Sequence, residues 1–470
     1  MFLVLLILLP LIFGVGLAVT SYKKSLGFIG TAISVYLFIF SLLAAFNGEG
    51  AIQKEITHPW FKMGDVQTYI SLDFSGLGAI MVMLTTFVYS LLFLYFNSVK
   101  KNYKNNFYGL LLIMFAGLNG VFLAQDLLLF YFFWEIVLIP IYFLIGIWGG
   151  KNKVKANTTF FIYTIFGSFL MLAGIIYIGF HLGPESYLLN DIKALTTHYK
   201  DLELLPILFL IAFAIKIPIF PLHTWQPPVY KASDTFVTII LSALMAKMGL
   251  FAVVNWFIGM FPVKSLNFDW LLYVVGFGLV YASLIALRSN HLKRIIAFSS
   301  IAHLALIFMS LFTYSEIGIK GAYFQMFSHG IVVLGMWLSY DYMHRRYGVT
   351  DVKSVRGLAK IDPAIAVFWT IFCLSNLSLP LTSNFIGEFS MLNALFFYNP
   401  ILCIMGCIGA ILSAAYTWRM NNAILLGSPD HIKDKPKRMS AILYLVFGLL
   451  SFAVILLGTY PSIIFNLIQN

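Results

Sequence analysis

Six ionisable residues lie within stretches of the sequence that are otherwise almost entirely apolar. They are Glu135, Lys216, Lys247, His303, His329 and Glu388. A lone charge at the centre of a bilayer costs at least about 2.5–3.5 kcal/mol on insertion scales, and such residues commonly mark ion pathways and proton relays. We therefore treat the six as candidate groups for moving protons or other cations.

Glu135 and Lys216 form the first candidate pair. Glu135 lies in FYFFWEIVLIPIYF with no second acidic residue near it, and Lys216 follows an apolar run in AIKIPIFPLH. Burial disfavours the charged form of either group, whereas a nearby opposite charge favours it. A pair whose spacing changes can therefore capture and release a proton. The alternative is a static buried ion pair that only fixes the packing of two helices.

Lys247 and Glu388 are the other two charges placed far from the ends of apolar segments. Lys247, in LSALMAKMGLF, is too deep for its ammonium group to reach the headgroups easily, so we expect it to face the protein interior. A lysine that does reach a headgroup is the alternative. Glu388 follows a proline-containing break and is a candidate terminal proton acceptor. It could instead cap the helix that begins after the break.

His303, in SSIAHLAL, and His329, in QMFSHGIV, are candidate proton relays because imidazole gains and loses a proton near physiological pH. Buried histidines also form simple hydrogen bonds between helices, and this structural role is an equal alternative for each. His223 and Asp73 lie near the ends of apolar segments. We expect structural roles for both.

The composition indicates a membrane protein. Of the 470 residues, 60% are hydrophobic and only 10% are charged, too few polar side chains to coat water-soluble domains of this size. Apolar segments long enough to cross a hydrocarbon core of about 30 Å lie at 2–20, 26–46, 76–97, 106–124, 126–149, 157–180, 204–222, 236–257, 270–287, 295–313, 319–340, 364–396, 401–424 and 440–460. The sequence therefore predicts an all-α polytopic protein of about fourteen transmembrane helices.

The basic residues predict the orientation of these spans. If both termini are on the outer side, 22 of the 30 Lys and Arg residues fall in or beside inward loops and six in outward loops. Loops that remain inside carry an excess of Lys and Arg, so this is the favoured orientation. The same loops account for the formal net charge of +11 without a nucleic-acid partner.

Proline interrupts two of the predicted helices. The seventh contains Pro218 and Pro221, and the twelfth contains Pro380. Each is the fourth helix of a five-helix block, spans 4–8 and spans 9–13, and these blocks run in opposite orientations. Inverted repeats with broken helices at matching positions are typical of transporters. The predicted parts are an N-terminal three-helix segment at 1–105, a first repeat at 106–257, a second inverted repeat at 258–425 and a C-terminal helix at 426–470.

The sequence lacks the usual signatures of nucleotide and redox cofactor sites. It contains no CxxC, no Walker loop and no GxGxxG. Its cysteines, Cys373, Cys403 and Cys407, all lie in apolar stretches and are expected to serve packing. We therefore expect no cofactor in this chain, and any redox chemistry in other chains.

Together, the motifs resemble one family, the antiporter-like membrane chains of respiratory complex I (NADH–quinone oxidoreductase), which are shared with multisubunit cation/proton antiporters. The resemblance covers nearly the whole chain. It is carried by the Glu135 helix that ends in Trp148 and Gly149, by KIPIFPLHTW around Lys216, by the Lys247 helix, and by LKRIIAFSSIAH, QMFSHG and NFIGEF. Each motif alone is weak, but their combination is specific.

The residue after the glycine of NFIGEF distinguishes members of this family. It is usually lysine, but one type of complex I chain has glutamate there, as this sequence does at Glu388. The resemblance also implies roles for the candidates: an input pair at Glu135 and Lys216, a central relay at Lys247, an outward exit at Glu388, and a connecting polar axis at His303 and His329.

The resemblance implies a proton-translocating subunit that couples quinone reduction in partner subunits to proton transfer. NADH, FMN, iron–sulfur clusters and quinone are then expected in those partners, and neighbouring antiporter-like chains are expected beside this one. A bacterial inner (plasma) membrane is the expected location.

The sequence departs from the family pattern in the segment from Gln226 to Thr235. Here QPPVYKASDT places Pro228 where an aspartate is usual and Tyr230 where a histidine is usual. Two alternatives therefore stay open, a subunit of a multisubunit cation/proton antiporter and a scaffold paralogue that no longer pumps. Glu388 argues against the first, and the retained charged residues argue against the second.

Overall fold

The computed structural model describes residues 1–20, 27–46, 53–99, 103–196, 204–261, 268–429 and 438–469. The helices in chain order are α1 (Phe2–Val19), α2 (Gly27–Phe46), α3 (Gly76–Ser98), α4 (Asn105–Leu123), α5 (Leu127–Ile136), α6 (Leu138–Trp148), α7 (Lys153–Tyr177), α8 (Leu189–Thr196), α9 (Leu204–Lys216), α10 (Gln226–Ala232), α11 (Thr235–Ile240), α12 (Ala246–Ala252), α13 (Asp269–Arg288), α14 (Leu292–Leu311), α15 (Glu316–Tyr347), α16 (Leu358–Ile361), α17 (Pro363–Asn376), α18 (Ser383–Tyr398), α19 (Pro400–Leu425), α20 (Ala441–Thr459) and α21 (Ser462–Gln469).

Within the described residues, 11 helical stretches are long and apolar enough to cross a membrane. All fourteen predicted spans fall on helices. Three of them, the seventh, eleventh and twelfth, are not among these 11 stretches, and the structure explains why. The 13 residues of α9 stop at Lys216, the twelfth span is divided into α17 and α18, and α15 is long but carries many polar residues. The prediction of an all-α polytopic membrane protein is confirmed.

The chain divides into two compact units. Unit 1 contains Met1–Ile217 and Leu244–Phe268, and unit 2 contains Pro218–Ala243 and Asp269–Ile468. In unit 1, α1 packs on α4, α2 on α3, and α7 on α9. In unit 2, α13 packs on α14 and α19, and α15 packs on α18. The division into two inverted repeats stays a prediction.

Unit 1 also contains an antiparallel hairpin that the sequence analysis missed. Its strands are β1 (Glu55–Met63) and β2 (Val66–Asp73). The turn contains Gly64, whose φ of 65° suits glycine, followed by Asp65. A Gly-Asp pair between two runs rich in β-branched and aromatic residues is a hairpin signal. The signal was present but stood among much longer apolar segments.

Asp126 joins this hairpin to the helices of unit 1. Its buried side chain caps α5 by accepting hydrogen bonds from the backbone N–H groups of Leu128 at 2.9 Å and Leu129 at 3.1 Å. Its other oxygen accepts from the N–H of Tyr69 in β2 at 2.9 Å.

We expect Asp126→Ala to lower the free energy of unfolding by about 1–3 kcal/mol. The change removes a helix N-cap and leaves the N–H of Tyr69 buried without its acceptor. Asp126→Asn should cost less, because asparagine also caps helices. Thermal unfolding of the purified protein in detergent measures both.

Glu316→Ala is the matched control for Asp126→Ala. Glu316 lies in the first turn of α15, but its side chain is 78% exposed and pairs with Lys320 at the surface. Exposed pairs of this kind contribute about 0–1 kcal/mol. If Asp126→Ala is no more destabilising than this control, the carboxylate does not hold the hairpin.

Candidate functional site

Lys216 is the last residue of α9. The helix ends there because Pro218, two residues later, has no N–H to donate and disfavours helical geometry in the residue before it. The Lys216 side chain is only 2% exposed. Its position at a helix C-terminus favours a cation, because the last carbonyl groups carry partial negative charge. The break therefore helps to stabilise a buried ammonium group.

Trp134 and Glu135, both on α5, supply further interactions with Lys216. The Lys216 Nζ lies 5.0 Å from the centroid of the Trp134 ring, within the range of cation–π contacts. The carboxylate of Glu135 interacts electrostatically with the same ammonium group. Among the described residues, Lys216 Nζ and Glu135 Oε1 are both buried without a hydrogen-bond partner. The pair is thus linked by charge but not held by a direct hydrogen bond.

Glu135 stands next to an irregularity in its own span. Helix α5 ends at Ile136, and α6 starts at Leu138. Pro140 lacks the N–H that would bond to the carbonyl of Ile136, which explains the interruption. The helix can therefore bend beside Glu135 without losing a further hydrogen bond.

Lys247 is fully buried on α12, a helix of only seven residues. The backbone forms π-helical turns on both sides of it, at Leu241–Met245 and Val253–Ile258. Helix α12 packs directly on the end of α9, since a Cβ on Gly249 would lie 2.5 Å from Ile217 Cγ1. The glycine therefore permits the close approach of the two helices that carry Lys216 and Lys247.

A second group of ionisable residues lies in unit 2. His303 on α14 places its Nδ1 2.8 Å from Oε1 of Glu388 on α18, and both side chains are nearly fully buried. The ring of His329 on α15 lies 5.2 Å from that of His303, between centroids. A carboxylate and two imidazole rings in one buried cluster can exchange protons, because imidazole both accepts and donates them.

The start of α18, just after the second break, is packed tightly against α15. Ser328 Oγ lies 2.6 Å from both Ser383 Oγ and Asn384 Oδ1. A Cβ on Gly387 would lie 2.4 Å from Gln325 Oε1. These contacts fix the first turns of α18 and so the position of Glu388, which follows Gly387.

His223 and Asp73 lie outside these two groups. His223 is buried among aromatic rings, with its ring centroid 5.6 Å from that of Phe220 and 5.7 Å from that of Tyr281. Asp73 ends β2 and accepts a hydrogen bond from the Ser75 hydroxyl. Burial raises the pKa of the Asp73 carboxyl. These contacts suit the structural roles expected for both.

The segment with unusual sequence, Gln226 to Thr235, is ordered. Pro227 and Pro228 stand in the first turn of α10, where a missing N–H breaks no helical hydrogen bond. Tyr230 is fully buried against the ring of Trp337. Asp234 caps α11 by accepting from the N–H of Phe236 at 3.1 Å. The departures from the family pattern are therefore accommodated as packing and capping.

Three polar residues near Glu388 escaped the sequence analysis. Tyr416, Ser299 and Asn376 form a buried hydrogen-bonded network in unit 2. Asn376 is the last residue of α17, so a polar residue just before the break was a usable signal. Tyrosine and serine are common in membrane helices and give no such signal. In the described part of the chain, no group of three or more His, Cys, Asp or Glu residues could hold a metal ion.

Comparison with known proteins identifies the family. Residues 124–413 match the family model described as NADH:quinone oxidoreductase/Mrp antiporter, TM. NADH-ubiquinone oxidoreductase chain 4 of Marchantia polymorpha is 33% identical over 446 residues, covering 93% of this chain and 88% of the relative. NADH-quinone oxidoreductase subunit M of Rickettsia typhi is 31% identical over 449 residues, covering 95% and 90%.

A solved structure agrees with these relatives. A chain of respiratory complex I from Thermus thermophilus with bound NADH superposes with a TM-score of 0.90 and 25% identity, covering 100% of this chain and 97% of that one. The resemblance inferred from the Lys216, Lys247 and Glu388 motifs is thus confirmed over nearly the full length. This chain belongs to the family of antiporter-like membrane subunits of NADH–quinone oxidoreductase that includes subunit M and chain 4.

Proposed function

We propose that this chain is a proton-translocating membrane subunit of an NADH–quinone oxidoreductase and that its two groups of buried ionisable residues carry the protons. One observation carries the proposal. Lys216 and Glu388 each lie beside a helix break and each has an ionisable neighbour, Glu135 and His303 respectively. Intramembrane charges beside broken helices are typical of proton and ion pathways.

Glu135 and Lys216 form the input pair in this proposal. The ammonium group of Lys216 is stabilised by the carboxylate of Glu135 and by the face of Trp134. If Glu135 moves away, as the interruption after Ile136 allows, the buried cation loses its strongest favourable interaction and releases a proton. Its return favours reprotonation. A small movement of one helix is therefore sufficient to change the protonation state of Lys216.

Lys247 is the central relay, and Glu388 is the outward exit, with His303 and His329 on the connecting polar axis. This order follows the family resemblance. Support comes from the position of Lys247 on α12, which packs on the end of α9, and from the contact between His303 and Glu388. Groups that each stabilise or destabilise charge on a neighbour can pass a change of protonation along the chain.

The redox reaction belongs to partner subunits in this proposal. Relatives of this chain are named as subunits of NADH–quinone and NADH-ubiquinone oxidoreductases. NADH, FMN, iron–sulfur clusters and quinone are then bound by other chains, and neighbouring antiporter-like chains flank this one. Lifting one proton against a membrane potential costs about 2.3 kcal/mol per 100 mV, so the chain alone has no energy source for pumping.

A bacterial inner membrane, with both termini on the outer side, is the proposed location. The Rickettsia relative supports a bacterial inner membrane. The distribution of Lys and Arg supports the orientation with both termini on the outer side. Several inward basic residues lie outside the described residues, namely Lys23, Lys24, Lys100, Lys101, Lys433, Lys435 and Lys437. The orientation therefore depends on the sequence pattern.

Lys216→Ala and Glu135→Gln should lower NADH–quinone turnover and proton pumping together. We expect a loss of at least about tenfold for Lys216→Ala, since about 1.4 kcal/mol on a barrier changes a rate by that factor. Pumping and turnover are measured in native membrane vesicles, with assembly of the complex checked by native electrophoresis. A coupled pump loses both rates because neither half of the cycle proceeds without the other.

Lys151→Ala is the matched control, because Lys151 is an exposed lysine in the loop before α7. It should leave both rates unchanged. If the assembled Lys216→Ala complex oxidises NADH and pumps at the normal rates, this chain is a scaffold. If purified membranes exchange cations for protons without NADH and quinone, and lose this exchange with Lys216→Ala, the antiporter alternative is correct.

Glu388→Gln keeps the size of the side chain but removes its ability to carry a proton. We expect proton output per NADH to fall or turnover to slow by at least about fivefold, a barrier change of about 1 kcal/mol, with assembly intact. Glu316→Gln, at an exposed carboxylate on α15 of the same unit, should have no effect. Normal pumping by the Glu388→Gln complex would exclude Glu388 as the exit group.

A further inference from the structure

A small cavity lies against Glu388 in unit 2. Its polar lining residues are Glu388, His303, Ser413 and Tyr416, and the remainder of the lining is aliphatic or glycine. The cavity volume of about 10 Å³ is close to the least that holds one water. The four polar side chains can supply the two to four hydrogen bonds that a buried water needs.

Two atoms at this cavity have unused hydrogen-bonding capacity. Among the described residues, Glu388 Oε1 and His303 Nε2 are buried without a hydrogen-bond partner. Oε1 does lie 2.8 Å from His303 Nδ1, but this contact does not have the angles of a hydrogen bond. Buried polar atoms are nearly always bonded to protein or to ordered water, and the cavity can supply that water.

Tyr416 reaches the same cavity with its hydroxyl held in one orientation. The O–H donates to Ser299 Oγ at 2.9 Å, and Ser299 in turn donates to Asn376 Oδ1 at 3.3 Å. The amide of Asn376 is fixed because its Nδ2 donates to Thr417 Oγ1 at 2.9 Å. A hydroxyl has a single proton to donate. Tyr416 therefore presents acceptor lone pairs to the cavity, where it interacts electrostatically with Glu388.

We propose that Tyr416 is a positioning residue that orients one water on Glu388 for proton exchange, a role that rests on the proposed function of Glu388. The water donates one hydrogen to the Tyr416 oxygen and the other to Glu388 Oε1. Its lone pairs then stay open to receive a proton. A proton that arrives on this water passes along its hydrogen bond to the carboxylate and leaves a neutral water behind.

Ser299 and Asn376 act on this water through Tyr416. If Ser299 could not accept, the Tyr416 hydroxyl would turn toward another acceptor and lose the orientation that leaves its lone pairs open to the water. The backbone carbonyl of Asn376 at the helix break does not depend on Tyr416, because it accepts a hydrogen bond from the Ser413 hydroxyl at 3.2 Å. The orientation of the Tyr416 hydroxyl is thus not required to satisfy the backbone at the break.

Infrared difference spectroscopy of the whole complex, between two pH values, tests the proposal. The C=O band of protonated Glu388 is assigned as the band lost in Glu388→Gln. We expect Tyr416→Phe and Ser299→Ala to shift this band, because the C=O stretch of a carboxylic acid changes when its O–H group loses its hydrogen-bonded partner, here the oriented water. Tyr444→Phe, at an exposed tyrosine on α20, is the control and should leave the band in place.

An unshifted Glu388 band in both Tyr416→Phe and Ser299→Ala would overturn the proposal. The hydrogen bonds of Tyr416, Ser299 and Asn376 would then serve only helix packing. A shift in Tyr416→Phe alone would remove Ser299 from the proposal and contradict the argument from hydroxyl orientation. The band position is read independently of pumping. Failure of the proposed function would show instead as normal proton output from Glu388→Gln, whatever the band does in Tyr416→Phe.

Discussion

Inside a bilayer, a charge or an unpaired backbone group must find its partner within the protein, and both helix breaks are built around this constraint. At the first, α9 ends at Lys216, whose ammonium group lies over the ring of Trp134. At the second, the hydroxyl of Ser413 covers the free carbonyl of Asn376. Because Ser413 also lines the cavity beside Glu388 and His303, the residue that covers the second break lies close to the ionisable groups of unit 2.

The ionisable residues of unit 1 are carried on short pieces of helix. Glu135 lies one residue before the end of α5, Lys216 ends α9, and Lys247 lies on a helix of seven residues between π-helical turns. Irregular turns of this type are frequent at functional sites. A short helix can tilt without displacing a whole span, so the distance between two charges can change at little cost. The charge state of each group depends on that distance.

The sequence predicted most of the fold because its strongest signal, apolar length, is local and needs no partner. All fourteen spans fall on helices, and Pro218 and Pro380 mark both breaks. The hairpin was missed because its turn signal is short. The candidate residues were recognisable as charges in apolar runs, whereas Tyr416 and Ser299 matter through their hydrogen-bond partners. Which serine contacts which tyrosine depends on helix packing, and local patterns of residue type do not reveal such distant contacts.

The chain passes back and forth between its two units, with residues Pro218–Ala243 of unit 2 inserted between two stretches of unit 1. During synthesis, α10 and α11 in this inserted segment are made before the rest of unit 2, so they have no packing partners until the helices from α13 onward follow. Apolar surface that stays exposed until its packing partner is made is a common origin of misfolding. If the chain were expressed as two fragments, 1–257 and 258–470, residues Pro218–Ala243 would be on a different fragment from the rest of unit 2. The boundary between the predicted repeats is therefore not a place where the protein can be divided into two folding parts.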